Sequence, residues 1–190
     1  MKIFQFHNSP IVNPARFREM YEHNHTSVFR YIYGLTGGPQ AEVEDLTAET
    51  FLRAWKARHR FEGDTDSVIG WLIQIAKRLV IDDYRRSLQA TNKLVAEPQT
   101  ESTPEQTAMA NEQREHLFNL LTDLPDEQRE IITLRYLLGW RVNEIAKYIG
   151  MTENNVSVTI HRTLSKLREK WGQNKAESLT MDFAQEEKIS

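Results

Sequence analysis

The sequence predicts an all-α protein of two small helical domains joined by an acidic flexible linker. Three observations point there. Apolar residues recur at close to helical spacing through most of the chain, with almost no strand-like alternation. Between Ser87 and Glu115 that spacing lapses into a polar stretch with two prolines and few large apolar residues. Beyond it, Gly150 separates two short amphipathic helical segments, the pattern of a helix-turn-helix.

Residues 1–13 form an N-terminal extension and residues 14–88 the first domain. Its first helix has Pro14 in the opening turn and runs to Leu35, carrying Phe17, Met20, Tyr21, Val28, Phe29 and Ile32. Gly37, Gly38 and Pro39 stop it. A second helix runs from about Ala41 to Arg58, with Val43, Leu46, Thr47, Thr50, Phe51, Ala54 and Trp55 on one face. Phe61 to Asp66 is a loop, and Ser67 is placed to cap a third helix. That helix turns Val68, Trp71, Leu72, Ile75, Ala76, Leu79 and Val80 inward and ends near Arg86.

Residues 89–111 are the linker, expected to be mobile from Ala90 to Thr107. Around it, Glu97, Glu101, Glu105, Glu112 and Glu115 outweigh Lys93 and Arg114. The second domain, 112–171, opens with Leu117, Leu120 and Leu121. Pro125, Asp126 and Glu127 then suit a first helical turn. Ile131, Ile132, Leu134, Leu137 and Leu138 form the buried face of that helix, and Gly139 ends it. Residues 172–190 are a polar tail expected to fray, although Leu179, Met181 and Phe183 could dock.

Composition narrows the function classes. The chain has 190 residues, 39% hydrophobic and 27% charged, and no cysteine, which excludes disulfides and thiolate metal sites. The N-terminus is too short in apolar residues for a signal peptide, and no apolar run is long enough to span a bilayer, so a cytoplasmic protein without membrane insertion is expected. The net charge of −3 hides two basic clusters. One holds Arg53, Lys56, Arg58, Arg60, Lys77, Arg78, Arg85 and Arg86; the other holds Arg141, Lys147, Arg162, Lys166, Arg168 and Lys170. Each would attract phosphate locally.

Val142, Ile145, Ala146 and Ile149 make a short supporting helix. Gly150 follows in position for a left-handed turn, and Thr152 can cap the next helix. Val156, Ile160, Leu164 and Leu167 anchor that second helix. Its other faces carry short hydrogen-bonding residues that are poor helix formers, so a surface selected for contact is the better explanation. Asn154 and Asn155 suit phosphates at a helix N-terminus. Ser157, Val158, His161 and Arg162 point where base edges would lie in a major groove. A bare helical hairpin with a solvated polar face is the alternative.

In the first domain, Glu42, Asp45 and Glu49 share a helix face. A metal site, a solvated face and a docking surface for a basic partner all fit that pattern. None of the three begins a Glu-x-x-His pair, which disfavours the metal. Phe61, Trp71 and the loop Glu62, Gly63 and Asp64 lie beside Lys77, Arg78 and Arg85. Basic tracks with aromatics suit single-stranded nucleic acid; the spacing of Trp71 also fits a core residue.

Three segments resemble, in order and separation, the extracytoplasmic-function (ECF) group of bacterial sigma factors. "EDLTAETFLRAW" looks like the polymerase-binding helix of that family and "WLIQIAKRLVIDDYRR" like its promoter-melting helix. "LPDEQREIITLRYLLGWRVNEIAKYIGMTENNVSVTIHRTLSKLRE" is similar to its C-terminal DNA-binding domain. The resemblance implies that Asp45, Thr47, Ala48, Glu49 and Phe51 grip the clamp helices of the largest RNA polymerase subunit, and that the flap of the second-largest subunit is a further partner. It implies that Phe61 to Asp66 captures a flipped base of the minus-ten element. Trp71, Lys77, Arg78 and Arg85 would then receive the non-template strand. Thr152, Asn154, Asn155, Ser157, Val158, His161 and Arg162 would read the minus-thirty-five element, the acidic linker would thread the polymerase, and an anti-sigma protein would hold the factor inactive. The chain departs from the family pattern at Ala48, Arg78, Ser157 and His161. No cofactor, metal, small-molecule substrate or enzymatic activity is expected, since no nucleophile–base pair or phosphate-cradling loop is present. Two other classes remain: a stand-alone helix-turn-helix regulator with an N-terminal sensor or dimerisation domain, and a carboxylate-metal enzyme using Glu42, Asp45 and Glu49.

Overall fold

The computed structural model describes residues 11–64, 67–91, 116–117 and 119–186. The chain divides into two compact units between Glu101 and Ser102. Every described element is helical. Most of the linker, including its expected mobile stretch beyond Thr91, lies outside the described residues.

Unit 1 contains α1 (Pro14–Thr36), α2 (Gln40–Ala57), a single 3-10 turn (Arg58–Arg60) and α3 (Val68–Thr91). Asn13 opens α1 by accepting the Ala15 N–H at 2.8 Å, and Gly37 closes it. The three helices pack on one another through Val28, Tyr31 and Ile32 of α1, Val43, Phe51 and Ala54 of α2, and Leu72, Ile73, Ala76 and Leu79 of α3. Burying each such Leu or Ile contributes roughly 1.5–3 kcal/mol, so packing rather than propensity holds these helices. Thr47 and Thr50 lie in the same core because their hydroxyls donate to the Val43 and Leu46 carbonyls, each at 2.7 Å.

Ile11, read from the sequence as part of an extension, is 1% exposed and belongs to this core. A lone isoleucine ahead of a helix has no periodicity to reveal it. Ser67 does not cap α3 with its side chain. Its hydroxyl donates to the Asp64 carbonyl at 2.9 Å, while Asp64 Oδ1 accepts the Ser67 N–H at 2.9 Å.

Unit 2 comprises helical residues 119–122, α4 (Asp126–Ile132) with a π-helical turn (Thr133–Leu137), α5 (Val142–Ile149) and α6 (Glu153–Glu186). Arg129 ties the start together: its guanidinium donates to the carbonyls of Leu121, Thr122 and Leu124. Pro125 sits one residue ahead of α4, outside its first turn.

Where the sequence suggests one regular helix ending at Gly139, the last turn is widened. The Leu138 N–H reaches the Thr133 carbonyl, and the Trp140 N–H reaches that of Leu134. Ile131, Ile132 and Leu134 therefore stay buried, while Leu137 and Leu138 turn half outward. The helix α6 continues through Gly172 to Glu186, where fraying is predicted. One glycine costs only about 1 kcal/mol and no proline follows to break the helix. Side chains beyond Gly172 lie outside the described residues, and with them the docking expected of Leu179, Met181 and Phe183. No described helix is long and apolar enough to cross a membrane.

Candidate nucleic-acid interface

In unit 2 the helix-turn-helix is set by local hydrogen bonds. The Arg141 N–H donates to Glu144 Oε2 at 2.6 Å at the start of α5. Gly150, at φ 81°, lets the Gly150 and Met151 N–H groups both reach the Ala146 carbonyl. Thr152 Oγ1 then accepts the Asn155 N–H at 3.2 Å, opening α6 as the sequence predicts. Val156 and Ile160 hold α6 from below. Thr163, also buried, donates to Gln128 Oε1 at 3.4 Å and so ties α6 to α4.

With that face fixed, Thr152, Asn154, Asn155, Ser157, Val158, His161 and Arg162 are all exposed. Helical spacing puts Asn154, Val158 and His161 along the centre, with Ser157 and Arg162 on the flanks. Val158 is an apolar residue 37% exposed on a polar face, the type that meets a thymine methyl. Sequence reasoning missed Ser165, which continues the strip and whose hydroxyl donates to the His161 carbonyl at 3.0 Å.

Among the described residues of the loop after α2, one differs from expectation. Phe61 is only 5% exposed, its ring centroid 5.0 Å from that of Trp71, so it anchors the loop and offers no face to a base. A ring against the α3 core gains more from burial than from waiting in water. Gly63 fits because a Cβ there would overlap the Phe61 ring and the Ser67 hydroxyl. Glu62 and Asp64 remain exposed, and the Asp64 carboxylate is engaged with Ser67. Thr65 and Asp66 lie outside the described residues.

Along α3, Trp71 and Lys77 are half-buried, and Arg78 and Arg85 are exposed. Gln74 and Ile81 join them on the outer face. Neither is charged or aromatic, so neither stood out; the signal was spacing, since both fall off the Leu72–Ala76–Leu79 stripe.

The face of α2 needs a similar correction. Thr47 and Phe51, assigned by resemblance to a docking surface, are buried. Phe51 packs edge-on against Tyr21 at 4.7 Å, and Thr47 satisfies its hydroxyl within the helix. Asp45 and Ala48 are exposed. Glu49 is partly exposed, with Oε1 accepting from Arg53 Nε at 2.8 Å. Leu52, unremarked in the sequence, is 45% exposed four residues after Ala48 and completes an outward strip of Asp45, Ala48, Glu49, Leu52 and Lys56.

The basic cluster of unit 1 also divides. Arg58 stacks over Trp55, its guanidinium carbon 3.6 Å from the ring centroid, and donates to the Trp55 and Val12 carbonyls. It holds the fold together. Among the described residues, no group of three or more His, Asp or Glu side chains is arranged to hold a metal ion.

A helix-turn-helix with an exposed polar face in one unit, and a three-helix bundle with an exposed basic strip in the other, is an arrangement suited to a nucleic-acid-binding protein. Comparison with known proteins makes the class specific. The Sigma-70 region 2 family matches residues 20–89, and the Sigma-70 region 4 family matches residues 114–167. The ECF RNA polymerase sigma factor BldN of Streptomyces coelicolor is 32% identical over 155 residues, covering 80% of this chain and 58% of BldN. The ECF RNA polymerase sigma factor SigL of Mycobacterium tuberculosis is 30% identical over 158 residues, covering 81% of this chain and 88% of SigL.

Two solved structures share the fold. CnrH, in complex with the cytosolic domain of CnrY, gives a TM-score of 0.60 at 20% identity, covering 87% of this chain and 97% of that one. RpoE of Bartonella quintana, in complex with the anti-sigma factor NepR, gives 0.59 at 19% identity, covering 80% and 94%. The chain belongs to the ECF group of RNA polymerase sigma factors.

Proposed function

We propose that this chain is an alternative sigma factor that recruits core RNA polymerase to promoters with its own minus-ten and minus-thirty-five sequences and promotes their melting. The reading rests most on the exposed face of α6, from Asn154 to Arg162, held rigidly by the Gly150 turn and by Val156, Ile160 and Thr163 beneath it. Asn154, Ser157, Val158, His161 and Arg162 read the minus-thirty-five element, and Thr152 and Asn155 hold the flanking backbone.

In unit 1, Glu62, Gly63 and Asp64 shape the pocket for an unstacked minus-ten base, over the buried Phe61. Flipping a base costs a few kcal/mol, so a preformed loop makes melting sequence-selective. Trp71, Lys77, Arg78 and Arg85 receive the displaced strand. The outward strip of α2, with Asp45, Ala48 and Glu49 now joined by Leu52, docks on the clamp helices of the largest subunit. Thr47 and Phe51 support it from below, and the flap of the second-largest subunit engages unit 2. An anti-sigma protein, of the kind that NepR is for RpoE, covers these faces in the inactive state. The chain acts in the cytoplasm as a binding subunit, with no catalytic group of its own.

A stand-alone regulator accounts for unit 2 but leaves the Sigma-70 region 2 match over residues 20–89 without a role. Transcription of fragmented genomic DNA by core polymerase, with and without the protein, tests the proposal. New start sites sharing two spaced upstream elements are expected. Specific DNA shifts by the protein alone, without new starts, would return the regulator.

A further inference from the structure

The outer strip of α3 consists of Gln74, Arg78, Ile81 and Arg85, with half-buried Trp71 at its head. Steps of three and four residues bring these positions onto one face. Asp82, four residues beyond Arg78, is the neighbour that would ordinarily neutralise it. Its carboxylate instead lies 3.9 Å from Arg53 Nη1, and the same guanidinium is held by Glu49 at 2.8 Å. Arg86 turns to Asp83 and to the Asp82 carbonyl. Arg78 has no ion pair or hydrogen bond with any described residue, yet it stands on a rigid helix whose opposite face is core.

We infer that Arg78 reads a guanine in the minus-ten region, an assignment that rests on the promoter reading above. A guanidinium has only donors, arranged as a planar fork, and needs two adjacent acceptors. Guanine presents O6 and N7 together on one edge. Adenine pairs N7 with a donor, and thymine sets O4 beside a methyl group. Cytosine has adjacent acceptors only on its pairing edge, which is occupied until the strands separate. Guanine offers its pair in duplex and single strand alike, so a face that meets DNA during melting engages guanine first. Gln74 and Trp71, one and two turns back, form the wall against which that base is placed, with the Gln74 amide able to accept from its remaining N–H groups.

The test uses holoenzyme and a promoter library randomised through the minus-ten region. Wild type is expected to enrich guanine at one position, and replacing that base with 7-deazaguanine, which lacks the N7 acceptor, should weaken binding by about 10-fold. Arg78→Gln should lose both the enrichment and the sensitivity to 7-deazaguanine. Arg78→Lys, which keeps the charge without the fork, should lose them too. Enrichment that persists in Arg78→Gln, or cytosine in place of guanine, overturns the assignment while leaving the sigma factor reading intact. A library from which wild-type holoenzyme selects no sequence overturns both.

Discussion

Arg162 and Thr163 are neighbours in sequence and opposite in fate. One step around α6 takes the chain from an exposed cation to a hydroxyl that is 1% exposed. Spacing alone gives this result for Arg162. Spacing also put Thr47 and Phe51 on the inward face of α2, even though resemblance assigned them to a docking surface. Their burial follows the spacing. A threonine in a helix can satisfy itself on the carbonyl four residues back, and a phenylalanine gains most by burial. Phe61 had no periodicity to guide the reading, because it lies in a loop. Arg162→Ala is expected to weaken minus-thirty-five binding by about 1–3 kcal/mol, with the loss concentrated at one base pair. Competition binding across single-base promoter variants measures it. An equal loss on every sequence, with a shallower salt dependence, would make Arg162 a phosphate contact.

At the scale of elements, helix positions were legible because amphipathic spacing survives in a single sequence, and Thr152 marked the start of α6 as its cap, whereas the Asn13 cap of α1 was not read. Two departures were not legible. The π-helical turn after α4 depends on where Leu134 must sit in the core, which is a tertiary requirement. The loop after α2 depends on a contact across it, with Gly63 beneath the reach of both Phe61 and Ser67. That requirement is one of space, since Gly63 is not among the glycines with positive φ. Gly63→Ala should therefore destabilise unit 1 by about 1–3 kcal/mol through overpacking, and should open the loop. Thermal unfolding would register the first effect. The second should appear as lost discrimination at one minus-ten base with minus-thirty-five binding unchanged. Full stability in Gly63→Ala would mean that the Phe61 ring moves aside without cost.

For the molecule as a whole, charge is informative only when resolved by surface. A net charge of −3 gives no hint of DNA binding, yet α3 and α6 present local cations while α2 presents acids. On the proposed reading, this division of surfaces lets one chain face a protein helix with α2 and a polyanion with α3 and α6. It also makes the two activities separable by mutation. Glu49→Lys inverts a charge that is partly exposed and engaged only through a surface ion pair with Arg53, worth at most about 1 kcal/mol, so the fold should persist. In the proposed docking, a lysine in the acidic strip would meet a basic partner helix with like charge, at a cost of several kcal/mol. Affinity for core polymerase should fall by more than 10-fold, while far-UV circular dichroism and binding of unit 2 to minus-thirty-five DNA stay as in wild type. Because Leu52 lies at the centre of the same strip, Leu52→Ala should weaken docking without any dependence on salt, whereas the Glu49→Lys defect should shrink as salt rises. Wild-type affinity in both variants would remove α2 from the polymerase interface and require another surface of unit 1 to carry it.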